Sequence, residues 1–150
     1  TSRQGSTNKM LQEVRLNANR LTGPIPSQVG LLGDTLVDLI LSDNALSSTV
    51  PTEIAQATSL RRLFLGDNPT LSGQIGTTED DNDDVLRLDQ LVNLQELTLQ
   101  NTSITGELSG SLCNLTLLLV TCSDQLCGCD CLECNLAATQ APTEVSTAIP

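Results

Sequence analysis

Apolar residues recur along this chain in a fixed frame. Leu11, Val14, Leu16, Leu21, Ile25 and Val29 set it, with Asn19, Gly23, Pro24 and Pro26 at the intervening places. The frame returns at Leu36, Leu39, Leu41, Asn44, Leu46, Val50 and Ile54, and again at Leu60, Leu63, Leu65, Asn68, Leu71 and Ile75. A fourth pass runs through Leu94, Leu97, Leu99, Ile104 and Leu112, and a truncated fifth begins at Leu117 with Val120 and Cys122. The starts are separated by 25, 24, 34 and 23 residues. A single coil of this size cannot bury its own apolar edge, so the recurrence predicts a solenoid whose stacked coils share one core.

Within each coil the L-x-x-L-x-L segment alternates with period two, which predicts a short strand. Val14 and Leu16, Leu39 and Leu41, Leu63 and Leu65, and Leu97 and Leu99 point inward. Coils in register bring these strands side by side in parallel, forming a concave sheet. The asparagine that follows, at Asn19, Asn44 and Asn68, offers an amide to backbone groups buried where the chain bends inward. Thr102 stands there in the fourth coil and breaks the ladder. Residues 27–32 predict a short helical closure, and the Gly-x-Ile-Pro segment is extended on the far side.

The core L-x-x-L-x-L-x-x-N followed by Leu21-Thr22-Gly23-Pro24-Ile25-Pro26 resembles the extracellular, plant-type leucine-rich repeat. Thr49-Val50-Pro51 keeps the proline of that signature without the glycine, whereas Gly73-Gln74-Ile75-Gly76 and Gly106-Glu107-Leu108-Ser109 keep the glycine and lose the proline. The resemblance covers about residues 10–135. It implies an α/β fold: a right-handed leucine-rich-repeat solenoid, or horseshoe, with a parallel concave sheet and short 3-10 and extended segments on the convex side. Receptor-like proteins and receptor-kinase ectodomains carry such repeats, although no kinase residues occur here.

Composition sharpens this picture. The chain has one Phe, no Trp and no Tyr, so leucine must fill nearly all of the core. At 150 residues it is one domain or a piece of a larger protein. A net charge of −11 makes nucleic acid and anionic membrane poor partners. No apolar run is long enough to span a bilayer. The chain opens on Thr1 without a leader, and its first ten residues hold neither a cysteine pair nor an amphipathic helix to shield the first coil. Further chain upstream is therefore expected. Residues 1–10 read as the tail of a preceding repeat or as disorder, and residues 11–116 as four repeats.

The third coil is ten residues too long. One extra residue lies between Asn68 and Leu71, and the rest form an acidic insertion at 77–85. Asp80-x-Asn82-x-Asp84 begins like a calcium loop, but Val85 stands where glycine is required and Leu91 where a bidentate Glu belongs. A solvated loop is the better reading, and no metal site is expected there. Cys113, Cys122, Cys127, Cys129, Cys131 and Cys134 gather at one end. Cys122 takes the inward place of Leu16, Leu41, Leu65 and Leu99, and Cys127 that of Leu21 and Leu46. A disulfide-linked cap over residues 117–135 is expected, with the 15 possible pairings left open and a soft-metal site as the competing reading. Asn101-Thr102-Ser103 and Asn114-Leu115-Thr116 are glycosylation sequons that agree with secretion. Residues 136–150, rich in Ala, Thr and Pro, read as a linker or stalk.

Catalysis finds little material. The chain has no histidine and no phosphate-cradling glycine loop, so neither an enzyme nor a cofactor is expected. Binding is better supplied. Outward strand positions form columns on the concave face: Glu13, Asp38, Arg62 and Glu96; Arg15, Ile40, Phe64 and Thr98; Asn17, Ser42, Gly66 and Gln100. Phe64 is expected to stand exposed beside Ile40 with Arg62 alongside, a composition typical of binding hot spots. The bland alternative packs Phe64 over Ile40 while Arg62 bridges Asp38 and Glu96. Gly66 should leave a small depression. The ligand-binding set is thus Arg15, Asp38, Ile40, Arg62, Phe64, Glu96 and Thr98, and the expected partner is a protein or peptide, less readily a cell-wall glycan. An extracellular module of a receptor-like protein is the leading expectation. A secreted structural or hydrolase-inhibitor protein without a membrane tether is the alternative, and an intracellular scaffold the third reading.

Overall fold

The computed structural model describes residues 10–76, 84–112 and 115–120. Among the described residues, nine short strands alternate between two parallel sheets. The first sheet has the order β1 (Glu13–Arg15), β3 (Asp38–Ile40), β5 (Arg62–Phe64), β7 (Glu96–Thr98) and β9 (Leu117–Leu119). Its register aligns Val14 with Leu39, Leu39 with Leu63, and Leu63 with Leu97, so each coil repeats the one before it. The second sheet joins β2 (Thr22–Gly23), β4 (Ala45–Thr49), β6 (Asn68–Ile75) and β8 (Thr102–Gly106). The extended segments expected on the far side therefore pair with one another as well. Helical closures are 3-10 turns at Ser27–Leu32, Thr52–Gln56 and Leu88–Gln90.

Leucines from successive coils meet along one spine. Leu36, Leu60, Leu63, Leu65, Leu71, Leu88 and Leu97 are fully buried, joined by Ile54 and Ile75. The first coil keeps one flank in solvent: Leu16 is 44% exposed, whereas its equivalents Leu41 and Leu65 are at 6% and 0%. A hollow of about 240 Å³ opens there, lined by Val14, Leu16, Leu21, Ile25, Leu39 and Leu41.

The asparagine ladder forms as expected. Asn44 Nδ2 donates to the carbonyls of Leu41 and, in the preceding coil, Leu16, while its Oδ1 accepts from the Leu21 amide. Asn68 repeats this with Leu65, Leu41 and Leu46. Thr102 donates to Leu99 of its own coil, and its oxygen accepts from the amide of Ile104. A hydroxyl is too short to span two coils, so the ladder stops there.

Three expectations change. The fifth coil starts at Leu115, not Leu117. Thr116 donates to the Gln95 carbonyl as Gln95 does to Arg61, and Leu99 donates to Leu119 as Leu65 does to Thr98. Val120, packed against the core, therefore takes the inward place assigned to Cys122. Next, the acidic insertion ends before Val85, which is 4% exposed and so belongs to the core. The returning chain is clamped to the strand it left: the Leu86 amide donates to Gln74 at 2.7 Å, and Leu86 bridges Ile75. Finally, the extra residues near Asn68 form a bulge, with Asn68 opposite Thr102 and Ser72 opposite Ser103. Pro69, which has no amide hydrogen to lose from the ladder, lies inside it. Residues 77–83, all six cysteines, Asn114 and residues 136–150 lie outside the described residues.

Candidate functional site

The concave sheet assembles the columns read from the sequence. Glu13 aligns with Asp38, Asp38 with Arg62, and Arg62 with Glu96; Arg15 aligns with Ile40, Ile40 with Phe64, and Phe64 with Thr98. Burial then divides them. Asp38, Ile40 and Thr98 are at most 9% exposed, whereas Arg62, Phe64 and Glu96 are half-buried and Arg15 is exposed. A partner arriving on this face meets the second group. Phe64 is only partly exposed, because it lies in the column between buried Ile40 and buried Thr98.

Asp38 organises the charges. Arg62 grips it with two donors, Nε to Oδ1 at 2.7 Å and Nη2 to Oδ2, and Arg15 Nη2 reaches Oδ2 at 2.8 Å. Arg15 also approaches Glu13 at 3.2 Å. Among the described residues, Arg62 makes no ion pair to Glu96 within 4 Å, so the expected bridge runs to one side only. Burial pushes the Asp38 pKa up, but the hydrogen bonds and charges of Arg62 and Arg15 outweigh it, and the carboxyl stays below the ordinary carboxylate range. Hydrogen bonding to Asp38 raises the Arg62 pKa further above its usual value.

A depressed carboxylate pKa contributes stability that is present above the unfolded value and lost as pH falls through the folded one. The raised Arg62 pKa contributes at every pH below the ordinary guanidinium value, so the acid limb reports on Asp38 alone of this pair. Asp38→Asn should therefore destabilise at pH 7 by about 1.5–3 kcal/mol, the range for charged hydrogen bonds. In urea titrations the gap from wild type should close as pH drops below the ordinary carboxylate pKa of 3.8. A gap that does not narrow with acid would mean the ionised form of Asp38 is not what the arginines hold.

The expected depression at Gly66 is absent. The Gln100 side chain lies over it so closely that an added Cβ would sit 2.4 Å from the carboxamide. Gln100 Nε2 is held by Asp67 Oδ2 at 3.1 Å, and Asn101 Nδ2 donates to Asp67 Oδ1 at 3.3 Å. Asp67 and Asn101 occupy equivalent left-handed turns at φ 58° and 50°, which asparagine and aspartate tolerate. Asn101 itself is exposed.

Two residues of this face were missed. β9 adds Leu117 beside Glu96 and Leu119 beside Thr98, both half-buried. The signal was Leu115, which restarts the frame 21 residues after Leu94. Among the described residues, no group of His, Cys, Asp and Glu is placed to hold a metal ion, and no helix is long and apolar enough to cross a membrane.

Residues 93–115 match the family described as Leucine Rich Repeat. No curated protein matches the chain. Solved structures do. The LRR ectodomain of the receptor kinase SOBIR1 from Arabidopsis thaliana superposes with a TM-score of 0.64 at 26% identity, covering 77% of this chain and 58% of that one. A chain of the BIR3–SERK2 complex from Arabidopsis thaliana gives 0.57 at 31% identity, with 78% and 57% covered. A chain from the Arabidopsis receptor kinase HAESA in complex with the peptide hormone IDA and the co-receptor SERK1 gives 0.58 at 30% identity, with 72% and 16% covered. The chain thus spans little more than half of the first two and a small part of the third.

Proposed function

We propose, for a chain that is a leucine-rich-repeat solenoid built like plant receptor-kinase ectodomains, that its concave face binds a protein or peptide outside the cell. One observation carries the reading: five parallel strands in register present outward side chains that the core does not need, with Phe64 half-exposed among them. HAESA, with which this chain shares its fold, is a receptor kinase solved with a peptide hormone. The module would then belong to a receptor-like protein, with signalling carried by other segments. Six cysteines and two sequons support secretion, a disulfide-linked cap and glycans on Asn101 and Asn114. A glycan on Asn101 would stand at the rim of the concave sheet.

The test begins with a random 12-residue peptide library selected on the chain. The Kd of the best synthetic peptide is then measured for wild type and Phe64→Ala. Loss of a central aromatic anchor should weaken binding about ten-fold or more, in a variant that still unfolds cooperatively. Equal affinity for both proteins would place binding elsewhere.

A further inference from the structure

Five ionisable side chains line the concave columns: Glu13, Arg15, Asp38, Arg62 and Glu96. Three carboxylates face two guanidiniums. Asp38 takes both arginines, and Glu13 shares Arg15. Glu96 is left without an ion pair among the described residues. It is half-buried, and its surroundings on the C-terminal side are apolar. Leu117 lies beside it across the sheet, and Thr98 follows it along the strand, flanked by Phe64 and Leu119. The Thr98 hydroxyl is buried and has no hydrogen-bond partner among the described residues.

We propose that this end of the concave face takes a cationic side chain at Glu96 together with a neighbouring apolar side chain over Phe64, Leu117 and Leu119, as an extended peptide segment presents them. The proposal rests on the concave-face reading above and names the chemistry of its partner. Arg62 flanks Glu96 on one side without an ion pair to it; on the other side the carboxylate borders half-buried apolar groups, where a matching cation is attracted more strongly than at an open surface. The whole chain adds a long-range pull, since its charge of −11 draws cationic segments and repels acidic ones. Spacing also fits. Outward positions lie about 7 Å apart along a strand and roughly 5 Å across the sheet. A peptide carrying Lys or Arg within two residues of Leu, Ile or Phe can therefore reach both features at once.

The peptides selected from the random library read this chemistry directly. They should be enriched in a basic residue within two positions of a large apolar one. The best synthetic peptide should lose at least ten-fold affinity on Glu96→Gln and on Phe64→Ala, change little on Glu13→Gln, and weaken as salt rises. Acidic or neutral peptides that bind Glu96→Gln as well as wild type overturn the proposal. If those peptides still fail on Phe64→Ala, the concave-face reading stands and only the cationic partner is wrong; indifference to every substitution removes both. A library that yields no binder, or self-association of the chain that Phe64→Ala abolishes, also overturns it, the latter by assigning the patch to a second copy.

Discussion

Asn68→Ala should lower the unfolding free energy by about 2–6 kcal/mol, from two buried backbone groups stranded at about 1–3 kcal/mol each. Asn68 is fully buried. Its Oδ1 accepts from the Leu46 amide at 3.1 Å, and its Nδ2 donates to the Leu65 carbonyl at 2.9 Å and to Leu41, one coil back, at 3.1 Å. Alanine leaves the Leu46 N–H and the Leu65 C=O without those partners, and water cannot follow into a closed turn. Asn19 holds the equivalent place in the first coil but is exposed, donating only to Leu16 and Asn17. Asn19→Ala should cost under about 1 kcal/mol, because solvent replaces its bonds. Urea unfolding of the two variants decides the matter. Equal costs would mean that the amide is incidental and that burial of the bend does not depend on it.

Leu65→Ala should cost a further large amount, about 2–5 kcal/mol, through lost burial and the cavity left behind. Leu65 is 0% exposed in the stack of Leu16, Leu41, Leu65 and Leu99. Coils on either side hold the cavity open, since neither can move without breaking its strand pairing. Leu16→Ala removes the same atoms from a residue already 44% exposed, and roughly half the cost is expected when burial is partial. The ratio of the two losses is the informative quantity. Similar losses at both positions would show that position along the spine does not govern burial.

Much of the architecture was legible beforehand because each coil repeats one local rule. Period-two alternation around Leu39, Leu63 and Leu97 set which side faces in, and the asparagine spacing set where the chain bends. The start of the last coil was misplaced by two residues, since Leu115 and Leu117 satisfy the same pattern and only pairing with Gln95 and Leu99 chooses between them. An even shift preserves the faces along the strand, so the inward set stayed apolar, with Leu118 and Val120 packed against the core.

The candidate site was legible in its columns and illegible in its allegiances. Column membership follows from backbone register, and for the first four coils the sequence alone determined it, along with the leucine spine and the ladder's end at Thr102. Only the tertiary structure decided that both arginines serve Asp38, that Gln100 covers Gly66, and that Leu117 and Leu119 extend the face. The physical reason is range. Alternation and turn chemistry act over a few bonds and can be read locally. Which of several carboxylates wins a guanidinium, or which side chain folds over a glycine, depends on the simultaneous packing of residues some 20 to 35 positions apart.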